Sequence, residues 1–94
     1  KIERGSKVIL YGAGHIGKCM KTQICTYNYC EICLWVDKRY KELGEEVHST
    51  DEIQYVDYDK VLIAVENRGI AFEIYTDLLL MGVKRDCLVW YKEW

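Results

Sequence analysis

Three glycines near the start of the chain have the spacing of a phosphate-binding loop. Gly12, Gly14 and Gly17 spell G-x-G-x-x-G within the stretch VILYGAGHIGK. The first glycine permits a sharp turn, the second lets a pyrophosphate approach the main chain, and the third lets a helix pack closely on a strand. The N–H groups and the positive end of that helix would then face the anion. The pattern predicts a loop that binds the diphosphate of a nucleotide ligand.

An acidic residue lies where such a loop needs one. Asp37 ends a second apolar run, Ile32–Val36, and follows Gly17 by the roughly 20 residues expected for a group that binds a ribose hydroxyl. The alternative is that Asp37 only closes a strand. Lys38 and Arg39 would suit a 2′-phosphate, but the carboxylate would repel it, so an unphosphorylated ribose is slightly favoured.

The elements that must position these residues alternate between strand and helix. Continuous apolar runs, typical of parallel strands buried on both faces, predict strands at Lys7–Tyr11, Ile32–Val36, Lys60–Val65 and Cys87–Trp90. Apolar residues at helical spacing predict helices at Ile16–Asn28 and Ile70–Met81. Between them, Glu46–His48 is predicted as a short edge strand, and a capping box at Ser49 and Glu52 as the start of a short helix.

This alternation predicts an α/β fold, a three-layer Rossmann-like parallel sheet with right-handed crossovers. We expect about five strands in the order 3-2-1-4-5, numbered along the chain with the edge strand third. Ligands bind outside the carboxyl ends of the strands where the order reverses, here between the first and fourth strands. The predicted cofactor-binding residues at that cleft are Gly12, Ala13, Gly14, His15, Ile16, Gly17, Asp37, Lys38, Glu66 and Asn67.

Composition narrows the class of protein. The chain has 94 residues, 50% of them hydrophobic, and a formal net charge of −2, so it has no basic surface for nucleic acid or an anionic membrane. No apolar run approaches the roughly 20 residues of a membrane span, and we expect no signal peptide, because the opening residues do not have the pattern of one. The five cysteines are an odd number without a secretory mark, which favours a reducing, cytoplasmic compartment.

The cysteines do not form a recognisable redox or metal motif. Cys30 and Cys33 spell C-x-x-C, but they run into a strand, where residues three apart point to opposite faces. A redox pair would sit at a helix start, and a zinc site would need a second pair of ligands. We therefore expect the cysteines to be small core residues, with no metal bound.

The ends of the chain suggest that it is part of a longer protein. The chain has no initiator Met and no proline, and it opens with Lys1-Ile2-Glu3-Arg4. We expect residues 1–94 to be one domain excised from a longer protein. Tyr91 and Trp94 fall beyond the last strand and suggest contact with the rest of the parent chain or with a second copy in a homodimer.

Three stretches together resemble a known group of small domains: VILYGAGHIGK, LWVDK and DKVLIAVEN. They resemble Rossmann-like domains appended to bacterial cell-surface polysaccharide enzymes, which include glycosyltransferases, phosphocholine-transferase-like proteins and sugar-nucleotide-modifying enzymes. They are also similar to the amino-terminal domain of bacterial sugar O-acyltransferases, which holds a UDP-sugar at this cleft. The resemblance implies that the three glycines lie under phosphates, Asp37 near a ribose or base, and Asn67 near the sugar. The acyltransferases usually place a histidine at the position of Ile16, so the resemblance assigns His15 no catalytic role.

Other interpretations of the loop are weaker. Gly12 to Lys18 also nearly spells a Walker A loop, but Cys19 replaces the Ser or Thr that would hold magnesium. Lys18 could still reach a phosphate or simply face solvent. His15 is either a contact to the diphosphate or an exposed turn residue. Asn67 could contact the ligand or cap the next helix, and the two roles are compatible.

The leading hypothesis is a nucleotide-binding module, for NAD(P) or a nucleotide sugar, in a polysaccharide-biosynthesis protein such as a glycosyltransferase. The module would not be catalytic alone, because the only candidate acids and bases, His15, Glu66 and Lys18, have no obvious partner. One alternative is a regulatory NAD-sensing domain, in which the nucleotide biases assembly. Another is an interaction scaffold that binds no nucleotide.

Overall fold

Four parallel strands form the centre of the fold in a computed structural model that describes all 94 residues. The strands are β1 (Lys7–Tyr11), β2 (Glu31–Val36), β3 (Lys60–Ile63) and β4 (Leu88–Trp90). They lie in the order β2-β1-β3-β4, and every neighbouring pair is parallel. The two α-helices are α1 (His15–Tyr27), which connects β1 to β2, and α2 (Arg68–Leu80), which connects β3 to β4.

The predicted α/β class with a parallel sheet is confirmed, but the predicted five strands in the order 3-2-1-4-5 are wrong in number and order. The segment Glu46–His48 makes only one isolated bridge, between Val36 and His48. The reason is local. The N–H of Val47 donates to the carbonyl of Gly44, 3.3 Å away, in a turn, so this N–H is not available to extend a strand. A 3-10 turn then begins at Thr50 and leaves no room for a longer strand.

Both faces of the sheet are covered, because side chains along each strand alternate between them. Val8 and Leu10 of β1 pack in a buried cluster with Ile24 of α1. Ile9 lies in a second cluster on the other face with Ile74 of α2. The two helices therefore lie on opposite faces of the sheet, and both begin at the edge where the strands have their carboxyl ends.

The two cysteines of the C-x-x-C pack on opposite faces of the sheet, as predicted, but the prediction that all five cysteines are core residues is wrong for Cys25, which is exposed. Cys30 is part of the cluster under α1, whereas Cys33 packs against the cluster under α2. All five cysteines are free thiols. Burial raises the pKa of Cys30 and of Cys33, which favours the neutral thiol.

The predicted helices are both present, with shifted ends. α2 begins at Arg68, two residues before the predicted Ile70, because Asn67 caps it: its Oδ1 accepts a hydrogen bond from the N–H of Ile70 at 3.0 Å. Neither helix has the length and apolar composition needed to cross a lipid bilayer.

The predicted capping box is half formed. Ser49 caps the 3-10 turn Thr50–Tyr55, since its Oγ accepts from the N–H of Asp51 at 3.2 Å. Glu52 does not close the box; its Oε2 lies 3.2 Å from Nδ1 of His48 instead.

Candidate functional site

A cleft of about 480 Å³ lies at the carboxyl ends of β1 and β3. This volume falls within the roughly 300–1,000 Å³ of small-molecule sites. The cleft runs from the start of α1, across the ends of the central strands, to the first turns of α2. Its lining residues are Tyr11, Gly12, Gly14, His15, Ile16, Asp37, Lys38, Arg39, Ala64, Val65, Glu66, Ile70, Glu73 and Ile74.

Two of the three loop glycines are required by backbone packing. Gly12 has φ +119°, and a Cβ on it would lie 2.7 Å from the carbonyl oxygen of Ala64. A Cβ on Gly17 would lie 1.9 Å from the carbonyl oxygen of Gly12. A side chain at either position would therefore push α1 or β3 away from the end of β1.

The second glycine is required by no contact of the chain itself. A Cβ on Gly14 would meet no atom within 4 Å. Gly14 is the N-cap of α1, no side chain caps this helix, and no acidic residue lies in its first turn. The first N–H groups of a helix have no partner inside it. The start of α1 therefore has main-chain donors without a side-chain cap, next to a glycine whose Cβ position is open, and it carries the positive end of the helix dipole.

The part of the loop before Gly14 is held by the neighbouring strand. The N–H of Gly12 donates to the carbonyl of Val36 at 2.8 Å, and the carbonyl of Gly12 accepts from Nε1 of Trp35 at 2.7 Å. The N–H of Ala13 donates to Oδ2 of Asp37 at 2.9 Å. The main-chain donors of Gly12 and Ala13 are thus used within the fold, and those available to a ligand begin at Gly14.

Asp37 has a structural contact in addition to the ligand contact predicted for it. Its Oδ2 accepts from Ala13, and its Oδ1 accepts from the N–H of Arg39 at 2.8 Å. A carboxylate offers about four acceptor positions. Two therefore remain, and Asp37 lines the cleft.

Seven of the ten predicted residues line the cleft, and the others lie just outside it: Ala13, Gly17 and Asn67. Ala13 is 1% exposed, and its N–H is bonded to Asp37. Gly17 is buried against the backbone of Gly12. Asn67 uses its side chain to cap α2. Of the two roles predicted for Asn67, the structure therefore shows the cap.

The end of the cleft near α2 is rich in carboxylates. Glu66 and Glu73 line it together with Asp37. Just beyond the lining, Asp77 of α2 pairs with Lys38 at 3.2 Å, and both side chains are more than half exposed. Such exposed pairs contribute little stability.

Tyr11 is a cleft residue that the sequence did not identify. The last residue of β1, it appears in the sequence only as the end of an apolar run, yet it lines the cleft at 4% exposure. Burial raises the pKa of Tyr11 to about 12, with further contributions from the charges of Asp77 and Asp37. Tyr11 is therefore a neutral hydrogen-bonding group near neutral pH.

His15 has a polar neighbour that the sequence analysis missed. Its Nε2 lies 3.8 Å from Sγ of Cys19. The spacing of four residues on one helix was the available signal, because such residues are neighbours on the helix surface. Cys19 does not line the cleft, so the pair does not converge on a bound ligand there.

The fold and this loop define a small parallel α/β domain with a glycine-rich turn open to a cleft. The chain belongs to the family described as C2185-like, N-terminal, which matches residues 4–89. The match includes the glycine loop, Asp37 and the whole cleft. No curated protein matches the chain.

Proposed function

We propose that this domain is a nucleotide-binding module, for NAD(H) or a nucleotide sugar, with the diphosphate of the ligand at the start of α1. The observation that carries the proposal is the uncapped helix start at Gly14, where no atom beyond the adjoining residues lies within 4 Å of a Cβ position. Donors in this arrangement suit a diphosphate, because its oxygens accept several N–H groups at once.

The rest of the cleft supports one direction for the proposed ligand. From the diphosphate at Gly14, a nucleoside would extend toward Asp37, whose free acceptor positions suit ribose hydroxyls. Asp37 and Glu73 line this end, and their charge would repel a 2′-phosphate. We therefore expect NAD to bind more tightly than NADP.

The setting of the module is proposed from the resemblance of its motifs. On this proposal the domain serves a cytoplasmic protein of polysaccharide biosynthesis, such as a glycosyltransferase, and does not complete a reaction alone. The ligand would be held at the glycine loop while another part of the parent protein supplies the chemistry.

A second candidate function is regulation or assembly. Two large apolar side chains of α2 face solvent, since Phe72 is 69% and Leu80 is 83% exposed. Exposed apolar side chains of this size favour contact with another protein surface or a second copy. On this view the nucleotide would bias assembly, and its binding would change the oligomeric state.

A thermal-shift titration tests the proposal directly. The 94-residue chain is titrated with NADH, NADPH, UDP-glucose and AMP. A ligand at 100 times its Kd should stabilise the folded state by about 2.7 kcal/mol. Light scattering on the same samples distinguishes simple binding from assembly, which would change the mass with NADH.

Gly14→Val tests where the diphosphate lies. A Cβ at this position meets no atom beyond the adjoining residues, so the variant should remain folded, while its branched side chain would extend into the space proposed for the phosphates. The stabilisation by nucleotide should disappear in Gly14→Val and be reduced in Gly14→Ala, whose methyl group is smaller. Wild-type binding by Gly14→Val would contradict the placement, and no stabilisation of the wild type by any of the four ligands would contradict the function.

A further inference from the structure

The side chain of Tyr11 is almost fully buried, but its hydroxyl has no hydrogen-bond partner within the chain. Tyr11 is 4% exposed, and its ring packs in the cluster under α2. No buried side-chain nitrogen or oxygen of the protein lacks a partner. The unpartnered hydroxyl is therefore on accessible surface, and the surface that Tyr11 lines is the cleft.

The position of this hydroxyl is distinct from the proposed phosphate position. Tyr11 packs on the face of the sheet that carries α2, whereas α1 packs on the opposite face. Asp37 and Asp77 are close enough for their charges to affect the hydroxyl. A phosphate would be repelled by these two carboxylates, whereas an uncharged part of a ligand would not.

We propose that Tyr11 is a specificity-determining residue, whose hydroxyl donates a hydrogen bond to an uncharged acceptor on the nucleoside part of the ligand. This proposal rests on the proposed nucleotide-binding function. The acceptor is a ring nitrogen, a carbonyl oxygen or a sugar oxygen, and the ligand has its anionic part at Gly14. A site with a partly desolvated donor disfavours ligands that leave it unpaired.

The chemistry of the hydroxyl suits this role. Its raised pKa keeps the proton in place near neutral pH, so the group remains a donor. Asp37 offers only acceptors, and it serves the hydroxyl groups of a sugar. The Tyr11 hydroxyl would thus donate a hydrogen bond to an acceptor of the nucleoside, and the Asp37 carboxylate would accept hydrogen bonds from its sugar hydroxyls.

The test uses the full chain and the variant Tyr11→Phe, which removes only the hydroxyl. Because that hydroxyl has no partner in the chain, the Tm of the free variant should match that of the wild type. The affinity for NADH or UDP-glucose, whichever binds the wild type, should fall about fivefold to tenfold. Inorganic pyrophosphate, followed by NMR titration of the loop amides, should bind both proteins equally. Tyr58→Phe is the matched control, because Tyr58 is half-buried but does not line the cleft.

The outcomes separate this inference from the proposed function. Unchanged nucleotide affinity in Tyr11→Phe would overturn the role of Tyr11 while leaving the function intact, provided that Gly14→Val abolishes binding. An equal loss of pyrophosphate affinity would also overturn it, since the effect would then lie at the phosphates. A wild type that binds neither nucleotide overturns both.

Discussion

The helices α1 and α2 have the same length, 13 residues, and each follows a central strand, but they begin in different ways. At α2, Oδ1 of Asn67 accepts the N–H of Ile70 at 3.0 Å. At α1, Gly14 supplies no side chain, and no other residue replaces it. A side-chain cap typically contributes about 1 kcal/mol. A capping hydrogen bond therefore stabilises the start of α2, whereas no such bond stabilises the start of α1.

On the proposed function, the helix start without a side-chain cap is the one that receives the ligand. Around α1 the fold is tightly held, since Gly12 and Gly17 allow close backbone contact and Asp37 fixes Ala13. Only the position that would carry a cap is open. Unpaired donors on a loop that the fold already holds in place would suit anion binding, because they need not be ordered when the anion binds.

Among the variants that test this comparison, Gly17→Ala should cause the largest loss of stability. Its Cβ would lie 1.9 Å from the carbonyl oxygen of Gly12, so α1 must shift away from the sheet. Overpacking of this kind against backbone should lower the free energy of unfolding by about 3 kcal/mol or more, measured by urea denaturation.

Gly14→Ala is the matched control for Gly17→Ala, because it adds the same methyl group three residues earlier. No atom lies within 4 Å of that methyl group, so the cost should stay below about 1 kcal/mol. Similar losses in both variants would mean that the two glycines have the same structural role, and the division between packing and ligand positions would be wrong.

The sequence predicted the parts of the site that depend on local pattern. Glycine spacing and an apolar run located the turn, since few other residues permit the backbone approach at Gly12 and Gly17. The spacing of apolar residues predicted both helices and the four strands, with ends within a few residues of those in the structure. The acid at the end of β2 was found by its distance from the loop.

The parts that were missed depend on contacts between distant segments. Tyr11 sits at the end of a buried strand, and only the position of α2 shows that its hydroxyl reaches a cleft. The contact of Asp37 with Ala13 likewise joins residues 24 positions apart. The segment Glu46–His48, wrongly predicted as an edge strand, has one apolar residue between two polar ones, and the N–H of Val47 bonds to Gly44 in a turn instead of extending a strand.

Asn67→Ala should lower the free energy of unfolding less than Gly17→Ala does, and its nucleotide affinity is a second measurement. Removing the cap leaves the N–H of Ile70 without its acceptor, which should lower the free energy of unfolding by about 1 kcal/mol. Nucleotide affinity should change less than twofold, because Asn67 does not line the cleft. Asn67→Ser, which retains a capping oxygen, is the control. A strong loss of affinity in both variants would show that Asn67 contacts the ligand after all.

The smallest expected change in stability comes from giving α1 the cap it lacks. Gly14 has φ −80° and ψ −156°, an extended conformation open to any residue, so Gly14→Asp and Gly14→Asn should both fold. Each should raise the free energy of unfolding by about 0.5 kcal/mol, since each places an oxygen at the uncapped donors. Both should weaken nucleotide binding, and Gly14→Asp more strongly, because its carboxylate also repels the diphosphate. Equal nucleotide affinity in the two variants would mean that charge at the start of α1 is irrelevant to the ligand. Stabilisation of the free protein together with loss of binding would instead show that a side chain and a nucleotide compete for the same N–H groups.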